Sequence, residues 1–548
     1  MKKMKKMKKI YSMMALSAMF ALTGCIEETV PEGGTATAEQ VGASAAALEG
    51  SLNGIPAQMS LGYYVYEDQV HETDMAYPQF MIAQTEMLGD MYPLGSNSGY
   101  DWYRTYNTMS ANCGETSYFA YLPWFTLYRF VKAANDVISV IDIENPETST
   151  EVKGMAGAAY AMRAFDYYML TVFFEPVENK YTDVSKVKGL TVPIVSEKTT
   201  NEEAKSNPRV PHKEMMEFIH SDLDKAEKLL ADWSPKDGHL PNLAVAYGIR
   251  AKVYLWDEDY ANAAKYARMA IEASKASPVT AAQWEDPTTG FCVANQAWMW
   301  YISYDAENMR NLANFTGWIS GEADWGYSSL TRPSIDKSLY DKIGDSDFRK
   351  TTFLHPDKYE YYDYKTVRDP LWIMEAPAYL SLKFRCKQGD WENYATGGAV
   401  DVPVMRVEEM YLIEAEATAA AGNLGGGVQL LTDFMRKYRD PNYNCKAGDN
   451  LRDFQLEVLT QMRIEFWGEG NAFPSAKRLK PGVMQNYEGT NAPADIYKIN
   501  CEGIKPIWNL VIPTRELENN RAIQGLNNPD PTTKVQVPSP VGQWGAKK

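Results

Sequence analysis

An all-α scaffold of tetratricopeptide-like helical hairpins, carrying one large loop-rich insertion, is the fold class the sequence predicts. Three observations lead there. Residues Asn242 to Lys275 read as two short helices folded back on one another. Tyr247, Ala251 and Tyr254 recur at i, i+4 and i+7 on the first, and Ala263, Ala267 and Ala270 do so on the second. Between them Asp257-Glu258-Asp259 supplies a turn and a cap. A small residue, an aromatic and two alanines at these spacings match the tetratricopeptide pattern, although an ordinary amphipathic hairpin shares the periodicity. Second, helical periodicity recurs on both sides of the hairpin. Third, it fails between about 278 and 400, where Trp, Tyr, Gly, Asp and Asn accumulate. A loop-dominated stretch of that length inside a folded chain is usually functional.

In chain order, MKKMKKMKK is a basic leader, Ile10 to Ala21 an apolar run too short to span a bilayer, and Leu22-Thr23-Gly24-Cys25 follows at once. The tetrapeptide resembles a bacterial lipobox, so residues 1–24 are expected to be a signal peptide and Cys25 the site of lipid attachment. Several acyl chains hold a soluble body to a membrane without a spanning helix, each buried CH₂ contributing about 0.8 kcal/mol. Residues 25–47, rich in Gly, Thr, Ala and Glu, read as a flexible tether. Glu27 and Glu28 are similar to the acidic export signal of Bacteroidetes surface lipoproteins.

Helical patterns follow at Met75 to Met91 and at Trp124 to Ile141, the latter with Phe125, Tyr128, Val131 and Ala134 on one face. From Val152 to Phe174 small residues (Gly154, Gly157, Ala158, Ala161, Ala164) oppose an aromatic stripe (Tyr160, Phe165, Tyr168, Phe173), and Glu175-Pro176 stops the helix. Met215 to Leu230 carries Ile219, Leu223, Ala226 and Leu230 as one stripe. After the hairpin and the insertion, helices return at Met405 to Gly422, Val428 to Tyr438 and Asp453 to Phe466. Their spacing is irregular, so the array is an interrupted one. The body is expected to be a single domain over 48–548, with scaffold at about 48–277 and 401–548 and the variable region at about 278–400.

Composition excludes several functions. The formal charge is -16 over 548 residues, and all six lysines of the leader precede Cys25, so the mature chain is more acidic still. Such a body repels phosphate backbones, and nucleic acid is not an expected partner. His71, His212, His220, His239 and His355 are scattered without zinc spacing, and Asp345-Ser346-Asp347 lacks the glycine and distal glutamate of a calcium loop. Neither metal nor cofactor is expected. No nucleophile elbow, phosphate loop or dinucleotide fingerprint occurs. Among 71 acids many pairs can be drawn, but Glu408-Glu409 and Glu414 with Glu416 sit on a scaffold helix and read as structural or solvated rather than catalytic. Beyond Cys25, the five cysteines Cys113, Cys292, Cys386, Cys445 and Cys501 are too widely spaced to suggest a disulfide framework.

The order of these elements resembles the SusD/RagB-like outer-membrane lipoproteins with which Bacteroidetes capture nutrients. The resemblance rests on Trp124, Tyr128 and Ala134-Asn135; on Arg163-Ala164, Val192-Pro193-Ile194, and Asp222-Leu223 with Ala226. It continues through the hairpin, Asp347 with Arg349, Arg406 with Leu412-Ile413 and Ala415-Glu416-Ala417, and Val511-Ile512-Pro513 through Pro529. Departures occur at Gln461-Met462-Arg463 and at Ala472 and Ser475, where the family carries charged residues. The resemblance implies a binding protein and not an enzyme: a surface-exposed outer-membrane lipoprotein that takes an oligo- or polysaccharide and hands it to a SusC-like TonB-dependent transporter. Peptide capture is the alternative within the family, and a surface glycoside hydrolase the alternative outside it.

A sugar offers C–H faces and a rim of hydroxyls, so its site needs flat aromatic surfaces beside carboxylates, amides or arginines. Two stretches offer both. One is Tyr92 to Asn107, with Asn97, Tyr100, Asp101, Trp102, Tyr103 and Arg104, where relatives carry part of their glycan platform. The other holds Trp318, Asp324, Trp325, Tyr327 and Arg332. Loop aromatics also commonly pin a loop to its scaffold.

Overall fold

The computed structural model describes residues 44–61, 76–95, 101–108, 113–305, 307, 309, 312–358, 364–531 and 539–544, with no side chains for 101–104. The leader, Cys25 and most of the tether lie outside the described residues.

The central hairpin forms as its sequence dictates. Helix α7 (Leu243–Trp256) is capped by the Asn242 side chain accepting from the Val245 amide, and α8 (Tyr260–Ser274) by Asp259 accepting from the Asn262 amide. Only three residues separate them, so the helices run antiparallel. Ala263, Ala267 and Ala270 are fully buried, as is Ala251, and their small side chains let the axes approach. Tyr247 and Tyr254 do not share the core with Ala251. They stay half-buried and flank Tyr266 at 5.9 and 5.6 Å between ring centroids, because Ile249, Val253 and Arg250 occupy the inner face.

Upstream stand α1 (Ala45–Ser60), α2 (Tyr77–Leu88), the short α3 (Asp101–Thr108), α4 (Tyr118–Ser139), α5 (Thr150–Phe174) and α6 (His212–Leu230). Helix α5 is buried over nearly its whole length. A Cβ at Gly157 would lie 2.9 Å from Leu229 of α6, so glycine there sets how closely α5 and α6 pack. Arg163 ties this half together: it reaches Asp222 of α6 through two bonds of 2.7 Å, and Asn135 of α4 and Glu197 at 2.6 Å. Downstream are α9 (Val407–Ala420), α10 (Leu424–Tyr438), α11 (Leu451–Glu465) and α12 (Phe473–Leu479). Helices α4 to α10 pack each on the next in series, the stacked-hairpin arrangement of tetratricopeptide repeats. One continuous hydrophobic core runs from Leu48 to Ile523. No described helix is long and apolar enough to cross a membrane.

The insertion is closed at its base by a strand pair that periodicity alone does not reveal. Strand β2 (Trp298–Ser303) lies antiparallel to β4 (Asp401–Arg406) with an irregular register. The run Gln296 to Tyr301, expected as loop, is therefore partly strand, and the helix expected from Met405 begins at Val407. A second pair joins β1 (Met91–Pro93) to β3 (Pro333–Ile335), and β5 (Val483–Met484) pairs with β6 (Asn500–Cys501).

Beneath the insertion lies a buried ion network. Four cations (Arg349, Lys383, Arg406, Arg439) meet four acids (Asp347, Glu408, Glu465, Glu469), each no more than 3% exposed. The remaining acids of α9 are paired as well: Glu409 with Lys252 at 2.8 Å, Glu414 with Arg268 and Glu416 with Arg478 at 2.5 Å each. The carboxylates read as structural or solvated from sequence are structural. Asp345 and Asp347 likewise serve Lys350 and Arg349.

His212, at the start of α6, joins two connections. Its Nδ1 lies 3.0 Å from Glu175 and its Nε2 lies 2.8 Å from Asp257. The Asp257 hydrogen bond, followed by that of Glu175, pushes the imidazole up to about 10. A group raised in the folded state contributes stability that is complete below its unfolded value, about 6.5, and disappears as pH rises through the folded value. The melting-temperature gap between the parent and His212→Ala is therefore expected to be larger at pH 6 than at pH 10.5. A gap that does not change with pH would show that the ring is not held charged.

Candidate functional site

The two stretches expected to bind ligand are joined by backbone. Beyond the paired strands β1 and β3, the Leu94 amide donates to the Arg332 carbonyl at 3.3 Å and the Gly95 amide to the Thr331 carbonyl at 2.7 Å. Asn97 and Tyr100 lie outside the described residues. Asp101, Trp102, Tyr103 and Arg104 fall on α3, and their side chains also lie outside them. What the structure places beside Arg332 is the start of the segment that carries them.

In the insertion, the expected residues divide. Trp318 is 1% exposed and stacks on Tyr327, which is half-buried, with centroids 4.1 Å apart. Trp325 is 7% exposed, its Nε1 donating to Asn314 at 3.4 Å, in a small cluster with Ala323, Cys386 and the half-buried Trp391. These two tryptophans are built into the packing of the loops. Asp324 is exposed, and its amide donates to the Trp391 carbonyl at 2.9 Å.

The rings that reach solvent are neighbours the sequence did not single out. Trp372 sits on the short helix Pro370–Glu375, which starts on a standard signal: Asp369 caps it and Pro370 takes its first position. Only two positions into so short a helix, Trp372 stays half-exposed, beside Leu371 at 76% exposure. The Arg368 guanidinium is inserted between the two tryptophans, 3.7 Å from the Trp391 ring centroid and 4.7 Å from that of Trp372. Arg332 approaches the same Trp372 ring at 6.0 Å. Cations over indole faces are favourable by roughly 0.5–2 kcal/mol, so this stack is held without any ligand. Arg332 also takes a left-handed φ of 51°, uncommon for a residue with a side chain. A cavity of about 120 Å³ opens alongside, walled in part by Lys358, Tyr364, Thr366 and Arg368.

A larger cavity, about 240 Å³, lies between α11 and the C-terminal segment. Two of its charged walls are engaged, Arg463 by Asp90 and Asp336 by the Ser338 amide and Tyr487, and burial pushes the third, the Lys342 ammonium, down. The tryptophan and arginine cluster thus has the chemistry a saccharide requires, indole faces for C–H surfaces and guanidinium edges with the Asp324 carboxylate for hydroxyls. No group of three or more His, Cys, Asp or Glu poised to hold a metal occurs among the described residues.

Two family models match the chain. One, described as starch-binding associating with outer membrane, covers residues 68–255, and the other, the SusD family, covers residues 293–528. Similar solved structures include a SusD-like carbohydrate-binding protein from Bacteroides vulgatus. It is 20% identical, with 88% of this chain and 98% of that one covered at a TM-score of 0.70. A SusD superfamily protein from Bacteroides thetaiotaomicron is 19% identical, with 89% and 100% covered at a TM-score of 0.65. A laminarin-binding SusD-like protein is 17% identical, with 87% and 97% covered at a TM-score of 0.57. No curated protein matches. The helical-hairpin fold is the one these structures share, and with the two models together spanning most of its length, the chain belongs to the SusD/RagB-like family.

Proposed function

We propose that this protein is a surface-exposed outer-membrane lipoprotein that binds an oligo- or polysaccharide and passes it to a partner TonB-dependent transporter. Its single domain, over 48–548, is tethered through Cys25. The family supports carbohydrate binding, and the basic leader, apolar run and lipobox-like tetrapeptide support the anchor. The observation that carries the reading is the Trp372, Arg368 and Trp391 stack with Asp324 at its edge. It sets two indole rings and a guanidinium beside the cavity that Arg368 helps to wall. Asn97, Tyr100, Asp101, Trp102, Tyr103 and Arg104, on the segment that follows Gly95 in the chain, are proposed as further ligand contacts, while the buried Trp318 and Trp325 serve the packing of the loops.

A glycan panel separates binding from hydrolysis. The purified protein is expected to retard intact glycan in affinity electrophoresis and to release no shortened products. Trp372→Ala is expected to weaken affinity about tenfold, near the 1.4 kcal/mol that one well-placed ring supplies. Unchanged affinity in both Trp372→Ala and Trp391→Ala would place the site elsewhere.

A further inference from the structure

Resting on that reading, we propose that the saccharide bound here is anionic, carrying carboxylate or sulfate groups that the Arg332 and Arg368 guanidiniums recognise. Most arginines at the centre of this fold reach a carboxylate: Arg163 reaches Asp222, Arg349 reaches Asp347, Arg385 reaches Glu322 and Arg406 reaches Glu469. Arg332 and Arg368 do not. Among the described residues neither has a carboxylate within ion-pair distance. Arg332 donates from Nη1 to the Gly321 carbonyl at 3.1 Å, and Arg368 donates from Nη1 to the Glu322 carbonyl at 2.9 Å.

Arg209, 4% exposed, also meets only carbonyl and amide oxygens, but it is enclosed in the core, whereas Arg368 walls a cavity. The Glu322 carboxylate is fully buried and committed elsewhere, to Arg385 at 3.0 Å and to the Thr366 hydroxyl. Asp324 acts on both guanidiniums, and Glu322 and Asp369 on Arg368, from beyond ion-pair distance, and the two guanidiniums lie close enough for Arg368 to disfavour the charge on Arg332. Two like charges set side by side repel, Asp324 offsets them only from beyond ion-pair distance, and an anion entering within hydrogen-bond distance offsets them further. Lys358 adds a third cation at the cavity, its Nζ donating to the carbonyls of Met374, at 2.8 Å, and Ala376.

The Arg368 guanidinium lies against both indoles and spends Nη1 on the Glu322 carbonyl; a guanidinium has further N–H groups with which to meet a carboxylate or sulfate through parallel hydrogen bonds. The same indoles meet sugar C–H faces. An acidic saccharide can therefore engage ring and charge together, whereas a neutral one leaves both guanidiniums without a direct ion pair.

The test compares acidic glycans with neutralised copies of themselves: oligogalacturonate with its carboxyl-reduced form, carrageenan oligosaccharide with its desulfated form, and laminarin as a neutral reference. The protein is expected to bind an acidic member at least about tenfold more tightly than its neutralised copy, with affinity falling as salt rises. Which pair responds tells carboxylate from sulfate. Arg332→Gln and Arg368→Gln are expected to remove that discrimination, and Trp372→Ala to weaken acidic and neutral forms alike. Neutralised copies binding as well as their parents would overturn the proposal and leave the glycan reading intact. Failure of every saccharide to bind would overturn both.

Discussion

Glu465→Ala is expected to destroy cooperative folding or to cost more stability than any other single change. The Glu465 carboxylate, 0% exposed, accepts from Arg349 at 3.0 Å, Arg406 at 3.0 Å and Arg439 at 2.7 and 2.8 Å. Those arginines come from the insertion, the end of β4 and the end of α10, so one acid at the end of α11 joins the variable region to three elements of the downstream half of the scaffold. Removing one partner of a buried pair costs about 3–5 kcal/mol, because the remaining charge cannot regain water. Here three guanidiniums lose it at once, against a total stability of roughly 5–15 kcal/mol. Urea denaturation at neutral pH checks this: a Glu465→Ala midpoint close to the parent's would show that the network is energetically idle. Glu465→Gln, which keeps the acceptor oxygen and loses the charge, is expected to fall between.

Acid should act on the same group. The surrounding arginines, Arg439 and Arg406 foremost, hold the Glu465 carboxyl far below the usual carboxylate range despite its burial. A depressed carboxyl contributes stability that is complete above its unfolded value, about 4.3, and is lost as pH falls below that toward the folded one.

How much of this was legible beforehand depends on the distance over which each choice is made. The hairpin was legible because Ala263, Ala267 and Ala270 state their periodicity within eight residues, and Asn242 and Asp259 announce helix starts locally. Helix α5 was legible for the same reason. The start of α9 was misjudged because Met405 and Arg406 continue the apolar pattern of the helix while their backbone hydrogen-bonds to β2, more than a hundred residues earlier. The acids of α9 could be called structural from their helix, yet nothing local says that Glu408 meets Arg439 or that Glu465 meets Arg349. Trp318 and Trp325 drew attention as loop aromatics, and the structure uses them as packing. Trp372 and Trp391 carry the same local signature and remain at the surface. Which ring is covered depends on where Arg368 and Cys386 arrive, and that is decided by the tertiary fold.

Gly95→Ala is expected to abolish much of the ligand affinity while leaving the helical core standing. A Cβ at Gly95 would lie 2.1 Å from the Leu330 carbonyl oxygen and 2.9 Å from the Thr331 carbonyl carbon. Both are backbone atoms, so no side chain can swing aside, and the segments must part by about 1 Å or more to restore contact distance. The pairing has little reserve. Pro93 faces Pro333, two residues that bring no N–H to the ladder, so its continuation rests on the Leu94 and Gly95 amides. Forcing a methyl group into such a contact typically costs about 1–3 kcal/mol, small beside the loss at Glu465 for overall stability but concentrated at Arg332 and at the start of the segment carrying Asn97 and Tyr100. If those two stretches form one site, Gly95→Ala should weaken glycan binding by about tenfold or more, and combining it with Trp372→Ala should cost less than the sum of the two changes. Strict additivity, or full affinity in Gly95→Ala, would mean that the insertion binds its ligand without help from the N-terminal stretch.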